Sequence, residues 1–308
     1  MPSDLEQLSA ARAEIGSVLL GKDRQIQQAM CCLLAGGHLL VEDLPGVGKT
    51  TLSQAFAAVT GLAYRRVQFT SDMLPSDILG VSVFDRNSNA FHFHPGPVFT
   101  QFLLVDEINR ASPKTQSALL EAMAEGRVTT EGETRSLPKP FFVIATQNPW
   151  FQSGTFPLPE SQLDRFLMRI SLGYPDERSE RQLLEGGDPR EMLTTLPSCL
   201  DDAQIQRLQE LVKQVEVRSS VVSYIQRLIA FSRQDAEIAF GLSTRAGLAL
   251  LQCAKAWALL EGRDYLLPDD VQAVLEPVAA HRLQPAADSN ADGAELVAKM
   301  LAQVSVLA

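Results

Sequence analysis

Asp43-Leu44-Pro45-Gly46-Val47-Gly48-Lys49-Thr50 lies between a short apolar run, His38-Leu39-Leu40-Val41, and a segment from Thr50 to Val59 whose apolar residues recur at helical spacing before Gly61. Strand, glycine turn and helix in that order form the setting a phosphate-binding P-loop requires. The glycines let the backbone approach phosphates and aim its N–H groups at them. Lys49 reaches the β and γ phosphates, and the Thr50 hydroxyl can hold Mg²⁺. Pro45, Gly46, Val47, Gly48, Lys49, Thr50 and Thr51 are therefore the expected nucleotide-binding set, with ATP and Mg²⁺ as ligands. The general pattern G-x-x-x-x-G-K-[ST] opens on glycine, but here that position is Asp43, so the first turn of the loop is expected to differ.

Working outward, the alternation of short apolar runs and helical spacing continues. Tyr64 to Phe69, Gln101 to Val105, Phe141 to Thr146 and Met168 to Leu172 read as strands, and Lys114 to Glu125 reads as a helix. Buried strands separated by helices predict an α/β domain, a parallel sheet covered on both faces. Upstream, Asp4 to Leu20 and Lys22 to Leu34 read as two helices broken at Gly21. Beyond Pro175 the strand signals vanish. Asp201 to Val217, Val221 to Ser232, Thr244 to Glu261 and Pro268 to Ala280 predict a separate all-α domain. The expected division is a nucleotide-binding core over 1–175, a connection over 176–200 that is partly irregular from Glu185 to Ser198, and a helical domain over 201–308. The tail after Pro285, with Asp288 to Asp292, is expected to be a solvated segment rather than a partner site.

Composition narrows the classes. With 308 residues, 45% hydrophobic and 21% charged, the chain has the make-up of a globular protein with a substantial core. A formal net charge of -10 argues against a main task of holding nucleic acid, which needs clustered Lys and Arg. Met1 to Arg12 lacks the apolar core of a signal peptide, and no apolar stretch is long enough for a membrane span, so the expected address is the cytoplasm. Cys31, Cys32, Cys199 and Cys253 show no metal or redox spacing and read as buried small hydrophobes.

Two further strand ends carry chemistry. Phe102-Leu103-Leu104-Val105 runs into Asp106-Glu107. At the carboxyl end of a strand beside the P-loop, Asp106 would hold the Mg²⁺ shell and Glu107 would orient and deprotonate an attacking water. Phe142-Val143-Ile144-Ala145-Thr146-Gln147 leads to Asn148-Pro149. Asn148 has two readings, a contact to the γ phosphate or the lytic water and a plain Asn-Pro turn, and spacing does not decide between them.

In this order, the P-loop, the Asp-Glu strand end and the strand-terminal Asn resemble the Walker A, Walker B and sensor 1 motifs of AAA+ proteins. Within that superfamily the chain resembles the MoxR group, which is related to magnesium chelatase ATPase subunits. The segments that carry the likeness are Pro75-Ser76-Asp77-Ile78-Leu79-Gly80, Pro95-Gly96-Pro97-Val98-Phe99, Asp106-Glu107-Ile108-Asn109-Arg110-Ala111, Lys114 to Glu121 and Leu242-Ser243-Thr244-Arg245-Ala246. The resemblance implies a core sheet of order 5-1-4-3-2 followed by a helical lid. It also implies Arg165, in Leu163-Asp164-Arg165-Phe166, as an arginine finger and Arg245 as the sensor 2 residue. The chain is thus expected to hydrolyse ATP in a closed ring, a hexamer, and to do chaperone-like work on a client with a von Willebrand factor A domain.

Ser82 to His94 alternates around Asp85 to Asn89 and reads as a hairpin. By the same resemblance it would be an insert in the second helix, pointing toward the ring pore. A second hairpin is expected over Arg127 to Leu137. His92 and His94 would share one face of a strand, without an evident third metal ligand. Three rival functions stay open: a nucleic-acid motor of the related helicase group, a chelatase subunit, and a nucleotide-gated scaffold with slow hydrolysis.

Overall fold

The computed structural model describes residues 3–148, 154–186 and 192–306. Its centre is a five-stranded sheet in which β1 (Leu39–Glu42), β2 (Tyr64–Gln68), β5 (Phe102–Asp106), β8 (Phe142–Gln147) and β9 (Met168–Ile170) are ordered β2-β5-β8-β1-β9. Every pairing in it is parallel. Counted along the chain within the sheet, this is the expected 5-1-4-3-2.

The apolar runs are continuous because both faces of the sheet are covered. Leu39, Val41, Phe102, Leu104, Phe142, Ile144, Met168 and Ile170 enter one apolar cluster, whereas the alternating Leu40, Leu103, Val105, Val143 and Ala145 enter another. On the first face lie α1 (Asp4–Val18), α2 (Asp23–Leu34), α3 (Lys49–Thr60) and the lid. The second face carries α4 (Pro75–Leu79) and α5 (Pro113–Glu125), with the antiparallel hairpins β3 (Gly80–Asp85)/β4 (Ala90–Pro95) and β6 (Arg127–Thr130)/β7 (Glu133–Ser136). Both hairpins lie where the sequence places them, over Ser82 to His94 and Arg127 to Leu137. Arg135 of the second stacks 3.9 Å from the Phe93 ring centroid of the first, which joins them.

After a short α6 (Glu160–Leu163) and β9, helix α7 (Glu177–Gly186) enters the stretch expected to be a connection; residues 187–191 of that stretch lie outside the described residues. The lid contains α8 (Asp202–Gln214), α9 (Ser219–Gln234), α10 (Thr244–Leu260) and α11 (Pro268–Ala279), each within a few residues of its expected span. Two features depart from expectation. Ile238–Phe240 pairs antiparallel with Gln284–Pro285 as a small two-stranded ladder, β10/β11, inside the helical region. The tail is also not simply solvated. Asp292 and Glu295 form a capping box that starts α12 (Gly293–Gln303), which buries Leu296, Val297 and Met300 against the lid. The acidic run Asp288 to Asp292 precedes this helix, and Leu301, partly buried, extends its apolar face.

Cys31, Cys32 and Cys253 are buried, and burial pushes the Cys31 and Cys32 thiols up, away from reactivity. Among the described residues no helix is long and apolar enough to cross a membrane.

Candidate active site

The carboxyl edge of the sheet gathers the polar strand ends. The loop between β1 and α3 holds Gly46 at φ 87° and Gly48 at φ 97°, left-handed conformations that a side chain would strain, so glycine is what allows the loop its tight turns ahead of α3. Asp43 is buried and explains its own departure from the motif. Its carboxylate accepts from the Leu44 N–H at 2.8 Å, the Ser171 hydroxyl at 2.9 Å and the Gly173 N–H at 2.6 Å, tying the loop's first turn to the chain leaving β9. Burial alone would push the Asp43 carboxyl up, but the hydrogen bonds from Gly173, Ser171 and Leu44 outweigh it and hold the group below its usual range.

Lys49 sits in the middle of the site. Its ammonium donates to the Asp43 carbonyl at 2.6 Å and to Asn148 Oδ1 at 2.8 Å. Partial burial pulls its pKa down, against the fields of Asp43, Glu107 and Asp106. Asn148 in turn donates from Nδ2 to Glu107 Oε1 at 3.0 Å. The structure thereby brings Lys49, Asn148 and Glu107 into one hydrogen-bonded chain.

Glu107 leaves β5 in a left-handed conformation at φ 54°, anchored by its N–H donating to Thr146 Oγ1 at 3.0 Å. A strained non-glycine residue at a strand end, held by its neighbours, is a feature of sites where a side chain is aimed for a purpose. Its carboxylate is also held by Gln68 Nε2 at 2.8 Å and Arg110 Nε at 3.0 Å. Asp106, 8% exposed, accepts from Arg66 Nε at 2.6 Å and lies 3.4 Å from the Thr146 hydroxyl. Arg66 and Gln68, two apart on one face of edge strand β2, therefore each hold one of the two acids.

Sequence reasoning missed those β2 partners, although polar residues at alternate positions of a strand bordering an Asp-Glu end are a usable signal. It also missed a recess of about 200 Å³ beside Gly46, Val47, Gly48 and Thr51, walled by Val18, Leu19, Leu20, Tyr174, Pro175 and Leu183. Lys22 closes it by donating to the Tyr174 carbonyl at 2.7 Å. An apolar recess adjoining a phosphate loop is suited to a flat, uncharged ring such as a nucleobase.

The two arginines that the resemblance singled out are elsewhere. Leu167 N–H donates to the His38 carbonyl ahead of β1, so the turn Asp164–Leu167 lies at the amino edge of the sheet, opposite the P-loop. Arg165 donates there to the Leu120 carbonyl at 2.8 Å, and Arg245 lies 3.7 Å from Asp164. Neither is brought to the P-loop of its own chain. His92 hydrogen-bonds Ser88 at 2.7 Å, and among the described residues no group of three or more His, Cys, Asp or Glu side chains is arranged for a metal.

Comparison with known proteins agrees with this architecture. The pattern of the ATPase family associated with various cellular activities (AAA) matches residues 38–168, and the AAA lid domain matches residues 230–300. The chain is 41% identical to YeaC of Bacillus subtilis over 97% of this chain and 94% of that one. It is 38% identical to chaperone MoxR1 of Mycobacterium tuberculosis over 95% and 79% respectively. A crystal structure from Cytophaga hutchinsonii superposes with a TM-score of 0.88 at 32% identity, covering 98% of this chain and 95% of that one.

Proposed function

Because this chain belongs to the MoxR family of AAA ATPases, we propose that it hydrolyses ATP and uses the cycle to remodel or activate a partner protein. The observation that carries the proposal is the chain Lys49–Asn148–Glu107, at 2.8 and 3.0 Å, on the edge where the glycine loop faces.

In this reading the Gly46–Thr51 loop cradles the phosphates and the recess beside Val47 and Tyr174 takes the base. Lys49 exchanges its bond to Asn148 for the β and γ phosphate oxygens. Asn148 and Glu107 then hold a water in line with the γ phosphorus. Glu107 accepts the water's proton as the new P–O bond forms and the bridging oxygen leaves with ADP. The Thr50 hydroxyl and the Asp106 carboxylate are hard oxygen donors that fit Mg²⁺, and the ion bound there would supply charge neutralisation on the phosphates. Arg165, with Arg245 beside it, would serve the site of a neighbouring subunit in a ring, a hexamer by analogy with the superfamily. Their place at the edge away from their own P-loop favours action in trans.

The partner proposed from the family is a protein with a von Willebrand factor A domain. A nucleic-acid motor fits less well with a net charge of -10.

Glu107→Gln tests the reading directly. Turnover should fall about 10³-fold or more with nucleotide affinity nearly unchanged, since the general base acts only in the chemical step. A native rate no higher than that of the variant would instead favour the scaffold. With ATP held unhydrolysed, the variant should retain a von Willebrand factor A protein in pull-downs with ATP and release it with ADP. Stimulation of the native rate by DNA would favour the motor.

A further inference from the structure

The segment after α11 reaches across from the lid to the turn that carries Arg165. Arg282 is 6% exposed, and its guanidinium donates from Nε to Asp164 Oδ1 at 2.7 Å. Its two terminal nitrogens donate to the carbonyls of Phe166 at 2.7 Å, Leu167 at 3.1 Å and Asp164 at 3.3 Å, and back to that of Val278. The adjacent His281, also buried, places Nε2 3.2 Å from the Phe166 carbonyl. Main-chain carbonyls on both sides of Arg165 are thus captured by one fork and one ring. On the other side, Arg165 itself is held by the Leu120 carbonyl of α5. Only a guanidinium offers five donors in a rigid plane; a lysine reaching the same place would serve as a point charge.

A buried arginine is costly to desolvate and is retained where its hydrogen bonds are complete. This one directs them to a four-residue turn that, among the described residues, lies at the sheet edge away from the P-loop of its own chain. We propose that Arg282, assisted by His281, is a positioning residue for the finger: the lid of each subunit sets where Arg165 stands in the site of its neighbour. The proposal rests on the reading of Arg165 as a trans-acting finger. It makes the lid a determinant of the next subunit's hydrolysis, with Asp164 as the shared anchor of Arg282 and the more exposed Arg245.

The test is complementation between two inactive variants. Arg282→Gln alone should lose about 10²-fold in rate, the scale of a misplacement of about 1 Å, while binding a fluorescent ATP analogue within about twofold of native. Glu107→Gln subunits cannot hydrolyse but present an intact finger. Subunits of the two variants are mixed in equal parts while dissociated and then concentrated. The mixture should recover about a quarter of the native rate, since half of the sites keep Glu107 and half of those receive an intact finger. Arg282→Lys, which keeps a cation beside Asp164, should lose less and be rescued in the same way; it replaces the glutamine variant should that one not fold.

A parallel mixture of Arg165→Ala with Glu107→Gln separates the two levels. If this control recovers activity and the Arg282 mixtures do not, the positioning role is wrong and Arg282 acts within its own subunit. If the control also fails, the trans finger falls, and the positioning role with it.

Discussion

Asp43 stands where the phosphate-loop pattern has glycine, and its three hydrogen bonds explain why an acid is kept there. Asp43→Ala strands the Gly173 N–H and the Ser171 hydroxyl, so the unfolding free energy should drop by about 2–3 kcal/mol at neutral pH. Asp43→Gly, which restores the general motif, should lose as much. The folded pKa of Asp43 is depressed, so its contribution is complete above the unfolded value of about 4 and is lost as pH falls through the folded value. Urea melts should therefore show native and alanine chains far apart at pH 7 and converging in acid; a gap that persists undiminished below the folded pKa would mean that the ionised carboxylate is not what stabilises the loop. At this scale Lys49, Asp106 and Glu107 are legible because each follows an apolar run and a fixed spacing. Gln68, Arg66 and the distant partners of Asp43 are not, because what identifies them is a contact between residues 39 to 130 positions apart.

Elements are legible where one periodicity governs them. The hairpin β3/β4 shows in sequence because its arms alternate around the turn Asp85 to Asn89, and Phe84 and Phe91 end up as an exposed edge-to-face pair with centroids 5.2 Å apart. Its base is set by something that alternation cannot reveal, a crossing of backbones. A Cβ on Gly96 would lie 2.3 Å from the Ile78 carbonyl and 2.5 Å from the Gly80 nitrogen, atoms that cannot swing aside. Gly96→Ala should therefore prise the hairpin from α4, at a cost of about 1–3 kcal/mol. Limited proteolysis should then cut within 80–95 at least several-fold faster than in the native chain, with digestion of the lid unchanged. Equal cleavage of the hairpin in both chains would show that the crossing is slack. α12 is legible by the same rule: its capping box is plain in sequence, and Leu296, Val297, Met300 and Leu301 follow it at helical spacing, although the acidic run before it reads as a solvated tail.

The largest feature is the one the sequence hides best. A change in composition near Pro175 divides the chain into an α/β part and a helical part, which favours two separate bodies. Packing joins them instead. Helices α8 and α10 lie on α2, α11 lies on β9, and a single apolar cluster runs from the sheet through α1–α3 into the lid. These pairings connect residues about 100 to 240 positions apart, beyond the reach of any local pattern. A shared core implies shared cooperativity, so core and lid should unfold together. The chain has two tryptophans, and in a Trp150→Phe variant the remaining Trp257 reports from the lid. Its urea midpoint should coincide with that of far-ultraviolet dichroism. Linkage separates the two cases further, because among the described residues the phosphate loop and the recess beside it contain none beyond Leu183. Nucleotide at about 100 times its Kd adds about 2.7 kcal/mol to whatever unfolds with its site. If core and lid are one cooperative unit, ADP with Mg²⁺ must move the Trp257 transition by that full amount although, among the described residues, no lid side chain lines the loop or the recess of its own chain. If the lid is an independent body, the dichroism transition splits and the Trp257 midpoint stays where it was without nucleotide.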